Sequence, residues 1–292
     1  MKKVLVFGGF GFLGYYLLKE LLSRGYEVVV ADIKDNSEFK DIVHYLNCDI
    51  SDQKQVDAVF QNQNYDIVYN LAGFANLDFS IKAPLKTMQL NIIGNMYVLE
   101  ACINANIKKF VYASSAYAMS NKGSFYGISK LASEKIIEEY HEKYDLDFTI
   151  LRYGSVYSER DYDNNYIYNL VKKAVIENVI DHKGDGNELR EYIHAGDAAK
   201  LSVDVIESDK FNNVHVILTG TERIKRSELF NMINEILNNK IEINYNYNYN
   251  NHYKFTPYSF EPSLSRKLTA NPHIDMGQGI LECIRSVYKN EK

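Results

Sequence analysis

A chain of 292 residues, 46% hydrophobic and 24% charged, holds enough apolar material for one large domain or a large domain with a smaller companion. A net charge of −5 leaves no electrostatic footprint for nucleic acid, and no apolar run approaches the ~18 residues that a membrane helix needs. Cys48, Cys102 and Cys283 form no C-x-x-C pair and two lysines leading straight into an apolar run make no signal peptide, so a reduced, cytoplasmic protein is expected.

The chain opens on a short apolar run, Val4 to Phe7, read as a buried parallel strand. Gly8-Gly9-Phe10-Gly11-Phe12-Leu13-Gly14 follows, and Tyr15 to Leu22 then has the spacing of an amphipathic helix. Gly9, Gly11 and Gly14 fit G-x-G-x-x-G, while Gly8, Gly11 and Gly14 fit G-x-x-G-x-x-G. Strand, glycine turn and helix together are the phosphate-binding start of a dinucleotide fold. Gly8 permits the tight turn, Gly11 lets the backbone approach a pyrophosphate, and Gly14 lets the helix pack close to the sheet. A second strand, Glu27–Asp32, ends in an acid about 20 residues beyond the last glycine, where a carboxylate accepts hydrogen bonds from an adenosine ribose. That carboxylate would repel a 2′-phosphate, so NAD is favoured over NADP.

Strands at His44–Cys48, Ile67–Asn70, Lys109–Ala113 and Asp147–Arg152 alternate with helices near Gln53–Gln61, Pro84–Ala105 and Phe125–Tyr144. This rhythm predicts an α/β chain with a parallel sheet wound on both faces. The pattern weakens beyond Arg152. Helices are expected at Tyr166–Asn178, Asp197–Glu207, Arg226–Leu237 and Met276–Lys289, with a strand at Val214–Leu218 and a turn at Lys183–Asn187. Asn244 to Tyr253 alternates Asn and Tyr, which fits an edge strand or a low-complexity loop. A Rossmann-type domain over 1–160 and a smaller substrate-binding α/β region over 161–292, with some chain returning to the first domain, is the expected organisation.

Ligands in such sheets collect at the C-terminal ends of the strands. Asp32, Asp49, Ala72, Ser114 and Ser115 all lie there. Tyr126 and Lys130 open the long helix at i and i+4 and share a face. An ammonium beside a phenol favours the phenolate and lowers its pKa. A tyrosine so tuned can take a proton from a substrate hydroxyl while Ser115 bonds the same oxygen. The remaining histidines lack ligand spacing, and no metal is expected.

These features resemble the extended short-chain dehydrogenase/reductase family of NAD-dependent nucleotide-sugar epimerases and dehydratases. The likeness runs over nearly the whole chain and includes Asn70-Leu71-Ala72-Gly73, Ser80–Pro84, Asn91–Asn95, Ser114-Ser115, Leu151–Tyr153 and Gly186–His194. It implies a catalytic set of Ser115, Tyr126 and Lys130. It implies NAD contacts from Gly8, Gly11, Phe12, Leu13, Gly14, Asp32, Ile33, Asp49, Ile50, Leu71, Ala72, Gly73, Asn91, Ser114, Tyr126, Lys130, Tyr153 and Val156. Ser115, Tyr126, Ser155 and Arg190 would face a nucleotide-diphosphate sugar, with the Arg190 fork on the diphosphate. The family also implies a homodimer made by pairing the helices near Pro84–Ala105 and Phe125–Tyr144.

Departures from the family narrow the activity. The 4,6-dehydratases carry Asp-Glu after the strand of the catalytic hydroxyl, decarboxylating relatives a glutamate, and the GDP-fucose synthase branch a cysteine; here Ala116-Tyr117 stands there. What remains suits reversible oxidation of a carbinol. The leading expectation is a 4-epimerase working by transient oxidation to a 4-keto sugar. A 4-ketosugar reductase or 4-dehydrogenase is the alternative, and a non-catalytic NAD-binding regulator stands behind both. The segment between Ser115 and Tyr126 is shorter than in most 4-epimerases, and the family's diphosphate-binding asparagine is Ser155 here.

Overall fold

The computed structural model describes residues 2–39, 41–120, 123–160, 165–246 and 265–291. The first part alternates β1 (Lys3–Phe7), α1 (Phe12–Ser23), β2 (Glu27–Asp32), β3 (His44–Asn47), α2 (Gln53–Phe60) and β4 (Ile67–Asn70). Val4–Phe7 and Val28–Ala31 are buried on both faces, so these strands read as continuous apolar runs.

Next come α3 (Leu77–Lys82), α4 (Pro84–Met88), a π-helical turn (Gln89–Ile93) and α5 (Gly94–Asn104). The spacing predicts one helix over 84–105 and no α3. The wide turn aims Asn91 inward. Its Oδ1 accepts the Phe74 N–H at 2.6 Å, and its Nδ2 donates to the Phe74 carbonyl at 3.0 Å and to Ser129 Oγ at 2.8 Å. The π turn therefore clamps the loop after β4 onto the helices behind it.

β5 (Lys109–Ser115), α6 (Ser124–Tyr144) and β6 (Asp147–Tyr153) follow. Beyond them lie β7 (Ser155–Tyr157), α7 (Tyr166–Glu177), β8 (Val179–Lys183), β9 (Leu189–His194), α8 (Ala195–Asp204), β10 (Val214–Leu218), β11 (Arg223–Lys225), α9 (Arg226–Ile236), β12 (Glu242–Asn246), β13 (Ser265–Leu268) and α10 (Met276–Asn290). The Asn/Tyr stretch is a strand as far as Asn246, and its remainder lies outside the described residues. Strands β7, β8, β9, β11 and β13 are additions to the predicted set.

The main sheet has eight parallel strands in the order β13-β10-β6-β5-β4-β1-β2-β3. Side chains alternate along each strand. Val4, Val6, Val28 and Val30 pack with Leu17 and Leu21 of α1 and with Ala198 and Leu201 of α8. Leu5, Phe7, Val29 and Val68 pack with Val56 of α2, Val98 and Leu99 of α5, and Ile137 of α6. The fold is thus a doubly wound Rossmann-type sheet. Strand order reverses between β1 and β4, and the crevice beyond their C-terminal ends is where such folds take ligands. A third core joins α7, α9 and α10 through Phe230, Ile233, Ile280 and Ile284. No helix among the described residues is long and apolar enough to cross a membrane.

Candidate active site

A cleft of about 770 Å³ opens at that reversal point. Gly8, Phe10, Gly11, Phe12, Asp32, Ile33, Asp49, Ile50, Leu71, Ala72 and Gly73 line it. Gly8 has a φ of +74°, and a Cβ there would lie 2.6 Å from Ala72 N. A Cβ on Gly14 would lie 2.4 Å from the Gly9 carbonyl oxygen, so only glycine lets α1 lie this close to the turn. A Cβ on Gly11 would meet only Gly8 O, at 3.3 Å, which leaves its other side open to the cleft. The Asp32 carboxylate accepts the Phe10 and Lys34 N–H groups at 3.0 Å each, fixing the turn against the end of β2. A close-approach glycine, a helix N-terminus and an acid at the end of β2, lining one cleft, fit a dinucleotide.

The other predicted cofactor contacts stand behind this wall. Leu13 packs beside the core under α1, and Val156 packs beside the same core. Asn91 reaches the cleft only through the Gly73–Phe74 loop. Ser114 Oγ is spent on Glu134, and the Tyr153 hydroxyl on Ser202 Oγ at 2.7 Å.

Ser115 ends β5, while Tyr126 and Lys130 lie in the first turns of α6. The Ser115 hydroxyl lies near enough to the Tyr126 phenol to favour its ionised form. Ser115 Oγ also accepts the Tyr117 N–H at 3.2 Å. Lys130 Nζ donates to the Ala113 carbonyl at 2.7 Å and to the Tyr112 hydroxyl at 3.2 Å. A Cβ on Gly73 would sit 4.0 Å from that nitrogen, so Lys130 reaches the cleft wall. Burial pushes the Tyr126 phenol up to about 12, with Ser115 pulling the other way. Burial pushes Lys130 down to about 7, with Glu134 resisting. The lowered phenol expected from the sequence is therefore not found in the bare site. Desolvation is the largest influence on each group and favours both neutral forms.

Beneath this set lies a buried ionic network that the sequence reading did not identify. Glu134 is four residues beyond Lys130 and fully buried. Arg152 Nη2 meets its Oε2 at 2.5 Å, and Arg152 Nε meets Oε1 at 3.0 Å. His215 Nδ1 lies 3.4 Å away, and Ser114 donates to it. Burial alone would raise the Glu134 carboxyl, but His215, Arg152 and Ser114 hold it below its ordinary value. The i+4 spacing from Lys130 was the available signal, masked because an i,i+4 acid on a long helix reads as solvated.

The short segment before α6 is folded down by two further glycines. Cβ atoms on Gly123 and Gly127 would lie 2.8 and 2.7 Å from the Tyr117 carbonyl oxygen. Their absence seats Tyr117 edge-on against Tyr126, ring centroids 6.4 Å apart. On the far side, Arg190 is buried on β9 and donates to the Leu189 carbonyl at 2.7 Å. Ser155 on β7 stands in register with Tyr192. Asn165, fully buried, donates to the Ser158 and Arg160 carbonyls and caps α7.

Among the described residues, one trio offers three metal-type ligand atoms within 4.8 Å of one another: Glu159, His194 and Glu282. His194 Nδ1 accepts the Gly196 N–H, so Nε2 carries the proton and donates to Glu159 at 3.2 Å. Tyr16 donates to the same carboxylate at 2.9 Å. Burial opposes ionisation of Glu159, but His194, a backbone N–H and Tyr16 prevail and hold it at about 2. With Nδ1 accepting, the ring is neutral, and its Nε2–H ties the Glu159 carboxylate in a charge-assisted hydrogen bond.

A family model described as the NAD dependent epimerase/dehydratase family matches residues 4–218. A protein of Methanocaldococcus jannaschii, provisionally named UDP-glucose 4-epimerase, is 26% identical over 99% of this chain and 99% of its own length. The dTDP-D-glucose 4,6-dehydratase of Dictyostelium discoideum is 24% identical over 76% of this chain and 59% of its own. The crystal structure of UDP-glucose 4-epimerase from Thermotoga maritima with UDP-glucose superposes with a TM-score of 0.85 at 21% identity, covering 99% of this chain and 100% of that one. That likeness is one of fold.

Proposed function

The chain belongs to the NAD-dependent epimerase/dehydratase family, and from that premise we propose that it is a nucleotide-sugar epimerase that inverts the sugar at C4. The observation that carries the reading is the meeting of two groups of residues. The Ser115–Tyr126 pair and Lys130 sit at the end of β5, and Lys130 reaches the wall of the cleft formed by Gly8, Gly11 and Asp32. Tyr126 would take the proton of the C4 hydroxyl and later return it, with Ser115 bonding the same oxygen. Lys130, close to half protonated near neutrality, supplies positive charge when the phenol ionises. NAD, when bound, supplies the acceptor and then the donor of the C4 hydrogen. Gly8, Gly11, Gly14 and the α1 terminus would hold its pyrophosphate, and Asp32 its adenosine ribose. Arg190 would hold the substrate diphosphate.

The place occupied by Ala116 and Tyr117 provides neither acid nor base for losing water, which argues against dehydration despite the dehydratase relative. The compact Ala116–Met119 turn, which leaves little chain to cover a sugar, favours a 4-ketosugar reductase or 4-dehydrogenase as second reading. Incubation with UDP-, dTDP- and GDP-hexoses separates the two. An epimerase interconverts C4 epimers over many turnovers with no net change in nicotinamide absorbance. Stoichiometric consumption or release of reduced cofactor would sink the epimerase reading. We also propose a homodimer through α4 and α6, where Leu85 is 86% and Ile128 58% exposed; light scattering at the monomer mass would reject it.

A further inference from the structure

Arg226 opens α9. Its guanidinium carbon lies 3.9 Å above the Tyr166 ring and 6.0 Å from the Tyr192 ring. Its Nη1 is buried and meets no hydrogen-bond partner among the described residues, and the same is true of the Tyr192 hydroxyl beside it. The ionisable groups whose charge it feels are Tyr192, Tyr166, Tyr117 and Glu188. The one carboxylate among them, Glu188, is already engaged through both oxygens by His182 Nε2 at 3.1 Å. Tyr117 stands edge-on to Tyr126, and Tyr192 lies two residues from Arg190 on the same face of β9. Arg226 is thus linked through Tyr117 to the phenol assigned to the chemistry, and through Tyr192 to the strand that carries the arginine assigned to the diphosphate.

A buried guanidinium with an unmet donor is costly, because its hydration is lost and nothing replaces it. Stacking on an aromatic face recovers only part of that loss. The missing component is an oxyanion, and a guanidinium fork held flat by Tyr166 is preorganised to receive one. We propose that Arg226 is a substrate-specificity residue that, with the Tyr192 hydroxyl, grips an anionic oxygen of the nucleotide sugar alongside Arg190. This rests on the nucleotide-sugar reading above. The oxygen belongs either to the diphosphate or to a carboxylate on the sugar ring.

The test compares the wild-type protein with Arg226→Gln and Arg226→Lys by calorimetry. The probes are UDP, dTDP and GDP, then the glucose and glucuronate conjugates of whichever base binds. Unchanged bound NAD and a melting temperature no lower than wild type, in both variants, certify the fold. The expected result is a ~10- to 100-fold weaker affinity in Arg226→Gln, partly restored by Lys, with KM raised more than kcat lowered. Equal loss for the free nucleoside diphosphate and both conjugates assigns the oxygen to the diphosphate. Loss confined to the glucuronate conjugate assigns it to the sugar. Binding by Arg226→Gln within twofold of wild type for every probe overturns this proposal alone. No binding of any probe by the wild-type protein overturns the nucleotide-sugar reading as well.

Discussion

Two sides of one cleft differ in how their polar groups are satisfied. Around β5 and α6, Ser114, Ser115, Lys130, Glu134 and Arg152 all bond one another or the backbone. Around β9 and α9, the Tyr192 hydroxyl and Arg226 Nη1 are buried without hydrogen-bond partners among the described residues. On the first side most polar groups already hold one another, His215 Nδ1 apart, so they cost little reorganisation. On the second side, the two unpartnered groups are the ones the proposed ligand would engage. The two sides thus treat the same problem of buried polarity differently.

The contrast can be broken most severely at Tyr126. Tyr126→Phe should lower turnover by ~10²- to 10⁴-fold while leaving bound NAD unchanged. Turnover within tenfold of wild type would remove the phenol from the chemistry. Next is Glu134→Ala, which leaves Arg152 charged and buried. Urea unfolding should show a loss of ~3–5 kcal/mol, whereas Arg226→Gln should be neutral or stabilising in the same assay; similar losses would erase the distinction. Asp32→Ala should weaken NAD by ~10- to 100-fold in a fluorescence titration, because it removes a charged acceptor and also unpins Phe10.

The smallest effect concerns acid. The folded Glu159 carboxyl titrates at about 2 against an ordinary 4.5. Its contribution is present above about 4.5 and is lost as pH falls toward 2. Glu159→Gln should therefore flatten the fall in melting temperature between pH 5 and pH 3. An unchanged acid limb would mean that the His194 bond to Glu159 carries no linkage.

What was legible followed from burial pattern. β1, β2, β4 and β10 begin and end where the apolar runs do, since strands buried on both faces have no polar alternation to confuse them. Gly8 and Gly14 were legible because backbone lies where a Cβ would go. β9 was not, because Arg190, Glu191 and His194 are polar yet buried toward the site or in ion pairs. Arg226 was legible only as the start of a helix, and its burial against Tyr166 depends on surroundings that spacing does not show. The Tyr126 phenol went the wrong way because spacing shows who is near but not how much water is lost.

The tail of the chain belongs to both halves. β13 extends the eight-stranded sheet beyond β10, and α10 then inserts Ile280, Cys283 and Val287 into the core of the other lobe, with Cys283 bonded to the Ser158 carbonyl. A chain stopped at residue 160 would keep the glycine turn and the tyrosine but lose the two outermost strands past β6. The amides and carbonyls bared along β6 would then be a template for self-association. Polymerisation of such a fragment, rather than a tidy half-enzyme, is the outcome this stitching dictates.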